Sequence, residues 1–171
     1  MDAPNDAPAN DRTTAVRKSE RELVVTRTFR APAHIVFEAW TSAGQFRRWW
    51  APKSFGLTIL SCEIDARTGG GYRLVMQHPS SAEPMAFFGR YIEVIPNSRL
   101  VWTNDEGDDG GAVTTVTFEE KDGETLVVLS DLYPSKAALD EAVASGSTSG
   151  FGEQFAQLEA LLAPVGAGGG A

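Results

Sequence analysis

The chain has a single cysteine, Cys62, and only two histidines, His34 and His78. One cysteine excludes an internal disulfide framework and a thiolate zinc cage. Two histidines make a histidine-rich metal centre a poor expectation, so neither a metal nor a cofactor is anticipated. Positive charge is also scarce: 15 Lys and Arg against 23 Asp and Glu leave a formal net charge of −8. A nucleic-acid binder needs a basic face to displace counterions, so no nucleic acid is expected as a partner. The same balance disfavours docking on anionic lipid. No run of about 18 apolar residues occurs, which excludes helical membrane insertion. The opening residues, Met1-Asp2-Ala3-Pro4-Asn5-Asp6, lack the basic start and apolar stretch of a secretory signal. Together these absences predict a cytoplasmic address.

What is present suits one domain. The 171 residues are 42% apolar, enough for a real core. Residues 1–20 are rich in Asp, Asn, Ala and Pro without apolar period, and read as a disordered arm. Residues 164–171 are Gly/Ala-rich and read as a flexible tail, leaving 21–163 as the folded unit. Within it, Glu22–Arg30 reads as a strand. Ala31-Pro32-Ala33 opens a helix with proline in the first turn, where a missing N–H costs nothing. Ile35, Val36, Ala39 and Trp40 follow at helical spacing. Thr41 or Ser42 can cap a second short helix bearing Phe46, Trp49 and Trp50, which Pro52 stops. Six strands follow: Leu57–Asp65, Tyr72–His78, Met85–Ile95, Arg99–Asn104, Val113–Glu120 and Leu126–Leu132. Short turn-rich links between them suit antiparallel neighbours. Pro134 opens a helical region, broken by small residues at Ser145–Gly150. From Phe151, the residues Phe155, Leu158, Leu161 and Leu162 share one helical face. Strands grouped together and helices set apart argue an α+β fold. The final helix needs an apolar partner, and the concave face of the sheet is the only large one on offer.

Four segments carry a resemblance. They are FRAPAHIVFEAWTSAGQFRRWWAP at Phe29–Pro52, the Asp65-x-Arg67-x-Gly69-Gly70-Gly71-Tyr72-Arg73 turn, Gly89–Pro96, and Arg99–Thr103. In this order and spacing the chain resembles the SRPBCC or START-like superfamily. Within it, the chain is most similar to the homologues of the heat-shock-chaperone ATPase activator (AHSA1-like). The resemblance implies a helix-grip fold: a curved seven-stranded antiparallel sheet wrapping a long C-terminal helix, with a cavity between them. It implies a small hydrophobic molecule as partner, and also, from the same group, a homodimer or a chaperone. Relatives often carry bulky residues where this chain has Ala144–Gly150, a departure that predicts a roomier entrance.

Period-two alternation proposes the cavity lining. Tyr72, Leu74 and Met76 share one face of their strand, and Trp102 shares a face with Leu100 and Asn104. On Met85–Ile95, Phe88 and Arg90 share a face with Ile92 and Val94, while Phe87, Gly89, Tyr91 and Glu93 share the other. The sequence does not choose between these faces. Trp49 and Trp50 are candidates for a lid or for core anchors, and Phe151 and Phe155 for the helix side of the cavity. The candidate ligand residues are therefore Trp49, Trp50, Tyr72, Leu74, Met76, Phe88, Arg90, Trp102, Phe151 and Phe155. Arg90 paired with an acid is the sharpest polar candidate. Both Asp65 with Arg67, and His78 with Ser130 and Asp131, read more simply as structural groups, and Cys62 as a small buried hydrophobe. The glycines at 69–71 lack the lysine and following helix of a phosphate loop. No catalytic set stands out. Binding is expected over catalysis, with a chaperone-interaction module and a cyclase-like or hydrolase-like enzyme as alternatives.

Overall fold

The computed structural model describes residues 13–105, 111–144 and 150–170, with side chains to 162. The chain runs β1 (Thr14–Arg17), β2 (Glu22–Phe29), α1 (Ala33–Thr41), α2 (Ala43–Trp49), a 3-10 turn (Lys53–Phe55), and β3 (Thr58–Ile64). It continues with β4 (Gly71–Gln77), β5 (Met85–Ile95), β6 (Arg99–Thr103), β7 (Val113–Lys121), β8 (Glu124–Leu132), α3 (Lys136–Ala144) and α4 (Phe151–Gly170). All eight strands form one antiparallel sheet, ordered β1-β2-β8-β7-β6-β5-β4-β3. This is the helix-grip architecture anticipated above.

The strand count is eight rather than seven. The extra strand lies inside the segment read as a disordered arm, with Thr14–Arg17 pairing against Leu23–Thr26. All four of its residues are exposed. Backbone hydrogen bonds to β2 and an ion pair from Arg17 to Asp140 at 2.6 Å hold it without any buried side chain, so no apolar alternation marks it in the sequence. At the other end, the helical backbone of α4 runs on to Gly170, past the boundary set at 163.

The local signals explain the helices. Ser42 caps α2, accepting from the Gln45 backbone N–H. Pro32 precedes α1, whose first N–H, at Ala33, is satisfied by the Glu120 carboxylate at 2.8 Å. Helix α4 packs Phe155 and Leu158, both fully buried, onto the concave face. Its polar side is tied to the end of α2: Gln157 Nε2 donates to the Trp49 and Ala51 carbonyls at 2.9 Å, and Gln154 Nε2 to the Trp50 carbonyl. Glu153 accepts from the Ser54 N–H and hydroxyl, which holds its carboxyl below the usual range. The Arg27 guanidinium, buried on β2, meets Glu159 of α4 at 2.5 Å. These bonds fix the helix against the end of α2, the 3-10 turn and β2, leaving the β3–β5 wing of the sheet less covered.

Candidate functional site

A cavity of about 530 Å³ lies between that wing, β6–β8, and helices α2, α3 and α4. Cross-strand register builds its walls. Cys62, Leu74 and Phe87 stand abreast on β3, β4 and β5, followed by Ile64, Tyr72 and Gly89. Tyr91, Trp102, Thr114 and Asp131 stand abreast on β5 to β8. Directly opposed residues share a face, so each row presents its side chains to the same space. Trp40, Phe46, Trp50 and Phe151 close the helix side. Gly89 permits the close approach of β5 to β6, because a Cβ there would fall 1.8 Å from the Thr103 carbonyl oxygen.

Two β-bulges bend this wing, one between Ile59 and Ser61 and one between Tyr91 and Glu93. A bulge adds a residue to one strand and reverses the parity beyond it. On β5, Phe87 and Tyr91 therefore face inward before the bulge, while Val94, opposite the buried Leu100, packs inward after it.

One polar chain crosses the apolar lining. The Tyr72 hydroxyl lies 2.9 Å from the Thr103 carbonyl and 3.0 Å from Asn104 Oδ1. Asn104 Nδ2 donates to the Ala112 carbonyl at 2.6 Å and to Thr114 Oγ1 at 3.1 Å. Thr114 Oγ1 donates to Asp131 Oδ1 at 2.5 Å. Burial pushes the Asp131 carboxyl up to about 6, opposed only by the Thr114 bond. Tyr133, two residues on and near that carboxylate, is pushed up to about 12, first by burial. Burial likewise raises Tyr91 and the Cys62 thiol, so both are protonated at neutral pH despite Arg47 beside the cysteine. A group of carboxylates and thiols arranged for a metal is absent among the described residues.

The fold agrees with the comparisons. The chain matches the family described as activator of Hsp90 ATPase homolog 1-like protein over residues 30–163. It belongs to that family. A Rhodobacter sphaeroides protein superposes with TM-score 0.80 at 22% identity, covering 90% of this chain and 99% of its own. A Nitrosomonas europaea protein gives TM-score 0.76 at 23% identity, covering 85% and 96%. The AHSA1-like protein of Aeromonas hydrophila gives 0.61 at 18%, covering 81% and 94%. At these identities the structures share the fold. No curated protein matches the chain.

In this member of the activator-homologue family, Trp50, Tyr72, Leu74, Met76, Trp102 and Phe151 line the cavity. Four other candidates do not. Trp49 is 0% exposed in the core, its indole N–H donating to the Ala39 carbonyl at 2.9 Å. Phe155 packs edge-on to Phe29, Trp40 and Trp49, filling space rather than bordering it. Phe88 and Arg90 lie on the convex face, opposite Phe87 and Tyr91. Phe88 is 41% exposed, and the Arg90 side chain is 73% exposed beside Asp105 at 3.4 Å. An Arg90–acid pair therefore exists but faces solvent. Glu93 pairs there with Arg99 at 2.7 Å.

The sets weighed for chemistry also separate. His78 bonds its neighbour Ser80 at 2.6 Å, and Ser130 donates to Glu22 on the far face of β8 from Asp131. Asp65 and Arg67 pair with each other at the surface. The residues at 145–149, within the expected entrance, lie outside the described residues. Phe87, Asn104, Thr114 and Tyr133 were missed as lining. Thr114 carried a signal: it interrupts the inward row that runs from Ala112, just before β7, to Val116 and Phe118 within it.

Proposed function

We propose that this domain binds a small apolar or amphipathic molecule between its C-terminal helix and sheet. The observation that carries this reading is the cavity, about 530 Å³, lined mostly by aromatic and aliphatic groups and crossed by a polar chain from Tyr72 to Asp131. Small-molecule sites are typically clefts of roughly 300–1,000 Å³ with an apolar wall and a few convergent polar groups. An apolar space of this size left empty forfeits dispersion contacts along its whole lining, so an occupant stabilises the fold. The family supports the same reading through its START-like architecture, though fold alone does not name a ligand.

The test uses N-phenyl-1-naphthylamine, an uncharged apolar fluorophore. The expected result is saturable enhancement at one molecule per chain, lost in Ala138→Trp, where an indole from α3 occupies the cavity mouth. Unchanged fluorescence with the parent chain would overturn the proposal. Native mass spectrometry of protein from its source should show an added mass that the same fluorophore displaces.

A further inference from the structure

The polar chain has a direction. Tyr72 donates to Asn104, Asn104 to Thr114, and Thr114 to Asp131. Each member passes a hydrogen toward the next, and the last, a carboxylate, can only accept. Asp131 Oδ1 is taken by Thr114, and Oδ2 has no hydrogen-bond partner among the described residues. No Lys or Arg pairs with Asp131 among them either: the bridges involve Asp65, Glu93, Asp105, Asp140 and Glu159. A carboxylate in an apolar wall without a cation is costly, and a charged donor relieves it best. The walls point the same way. Trp40, Trp50, Tyr72, Tyr91 and Trp102 border the space, and aromatic faces attract cations. Of the charged lining residues, Glu63, Asp131 and Glu141 outnumber Arg73. An anionic ligand would meet repulsion here.

Resting on the cavity-binding reading above, we propose that the ligand is an organic cation, its apolar body against the aromatic wall and its ammonium group at Asp131. The cation competes with a proton for that carboxylate. Its affinity therefore falls as pH drops through about 6, the value to which burial raises Asp131. Other ionisable groups around the cavity are Tyr133 just past the end of β8, Glu141 on α3, Glu63 and Cys62 on β3, Arg73 and Tyr72 on β4, and Tyr91 on β5. From β2, β7 and α4 the facing residues are Leu23, Thr114 and Gln154, all uncharged.

The test compares 2-(naphthalen-1-yl)ethylammonium, whose N–H groups can donate to Asp131, with 1-propylnaphthalene, its uncharged carbon isostere. Each displaces N-phenyl-1-naphthylamine from the full chain between pH 8 and pH 5. At pH 8 the cation should bind roughly tenfold or more tightly than the isostere. That advantage should shrink toward pH 5. In Asp131→Asn, with its fold checked by circular dichroism, the advantage should shrink to what the aromatic walls alone supply and lose its fall between pH 8 and pH 5. Equal or better binding of the isostere to the parent chain at pH 8 overturns the cation assignment, whatever the variant does. So does an advantage that Asp131→Asn leaves undiminished. If the fluorophore itself does not bind, the cavity-binding reading fails first and this inference with it.

Discussion

The interior has two unlike ends. Around α1, β2 and the middle of α4 it is solid: Val25, Phe29, Val36, Trp49, Phe155 and Leu158 are fully buried. Rings meet edge to face there, Phe29 with Phe155 at 5.6 Å and Trp40 with Trp49 at 4.7 Å. Between β3–β6 and α3 it is hollow, and the lining aromatics border space. The difference follows from geometry. One straight helix cannot touch every strand of a bulged, curving sheet. Polar ties to α2 and the buried Arg27–Glu159 pair hold α4 over one end. The other end is left for something else to fill.

That contrast can be broken by experiment. The largest effect belongs to the solid end. Phe155→Ala should cost about 3–5 kcal/mol in urea unfolding, because it adds a cavity to lost burial. Phe87→Ala, bordering space already open, should cost about 1–2 kcal/mol. Equal losses would erase the distinction. Next comes Gly89→Ala, whose methyl would collide with the Thr103 carbonyl oxygen and force β5 from β6. A loss on the order of 3 kcal/mol is expected, with weaker fluorophore binding.

Asp131→Asn should have a smaller effect of opposite sign. The folded-state carboxyl is raised to about 6 from 3.8. Below the lower value both states hold the proton and the group is neutral in effect. As pH rises through this window the unfolded chain ionises first, so folded stability falls and then levels off above about 6. Discounted for the partial exposure of the cavity wall, the variant should gain about 1 kcal/mol at pH 8 and nearly nothing below pH 4. A gain independent of pH would contradict the buried-carboxylate account. The smallest effect belongs to Arg90→Ala. Its exposed pair with Asp105 should be worth less than about 0.5 kcal/mol, with fluorophore affinity unchanged.

Much of the fold was legible because burial leaves a period. The inward rows of β4 and β6, and the apolar face from Phe151, follow from alternation at two and at 3.6 residues. Thr14–Arg17 escaped because an edge strand exposed on every side chain has no row to show. Phe88 and Arg90 were misplaced for another reason. Both faces of β5 carry an aromatic and a polar residue, and the bulge at Tyr91–Glu93 shifts parity partway along. Trp49 and Trp50 could not be told apart, since neighbours at the end of a short helix part company only when other elements cover one of them.

Local chemistry thus determined the elements, their order and the character of the wall. Caps, turns and periodicity act over a few residues, and the sequence states them directly. Only the tertiary structure decided which end stayed hollow, which β5 face looked inward, and that Tyr72, Asn104, Thr114 and Asp131 join in one chain. Those outcomes depend on where a helix rests on a bent sheet, and on register between strands distant in the sequence.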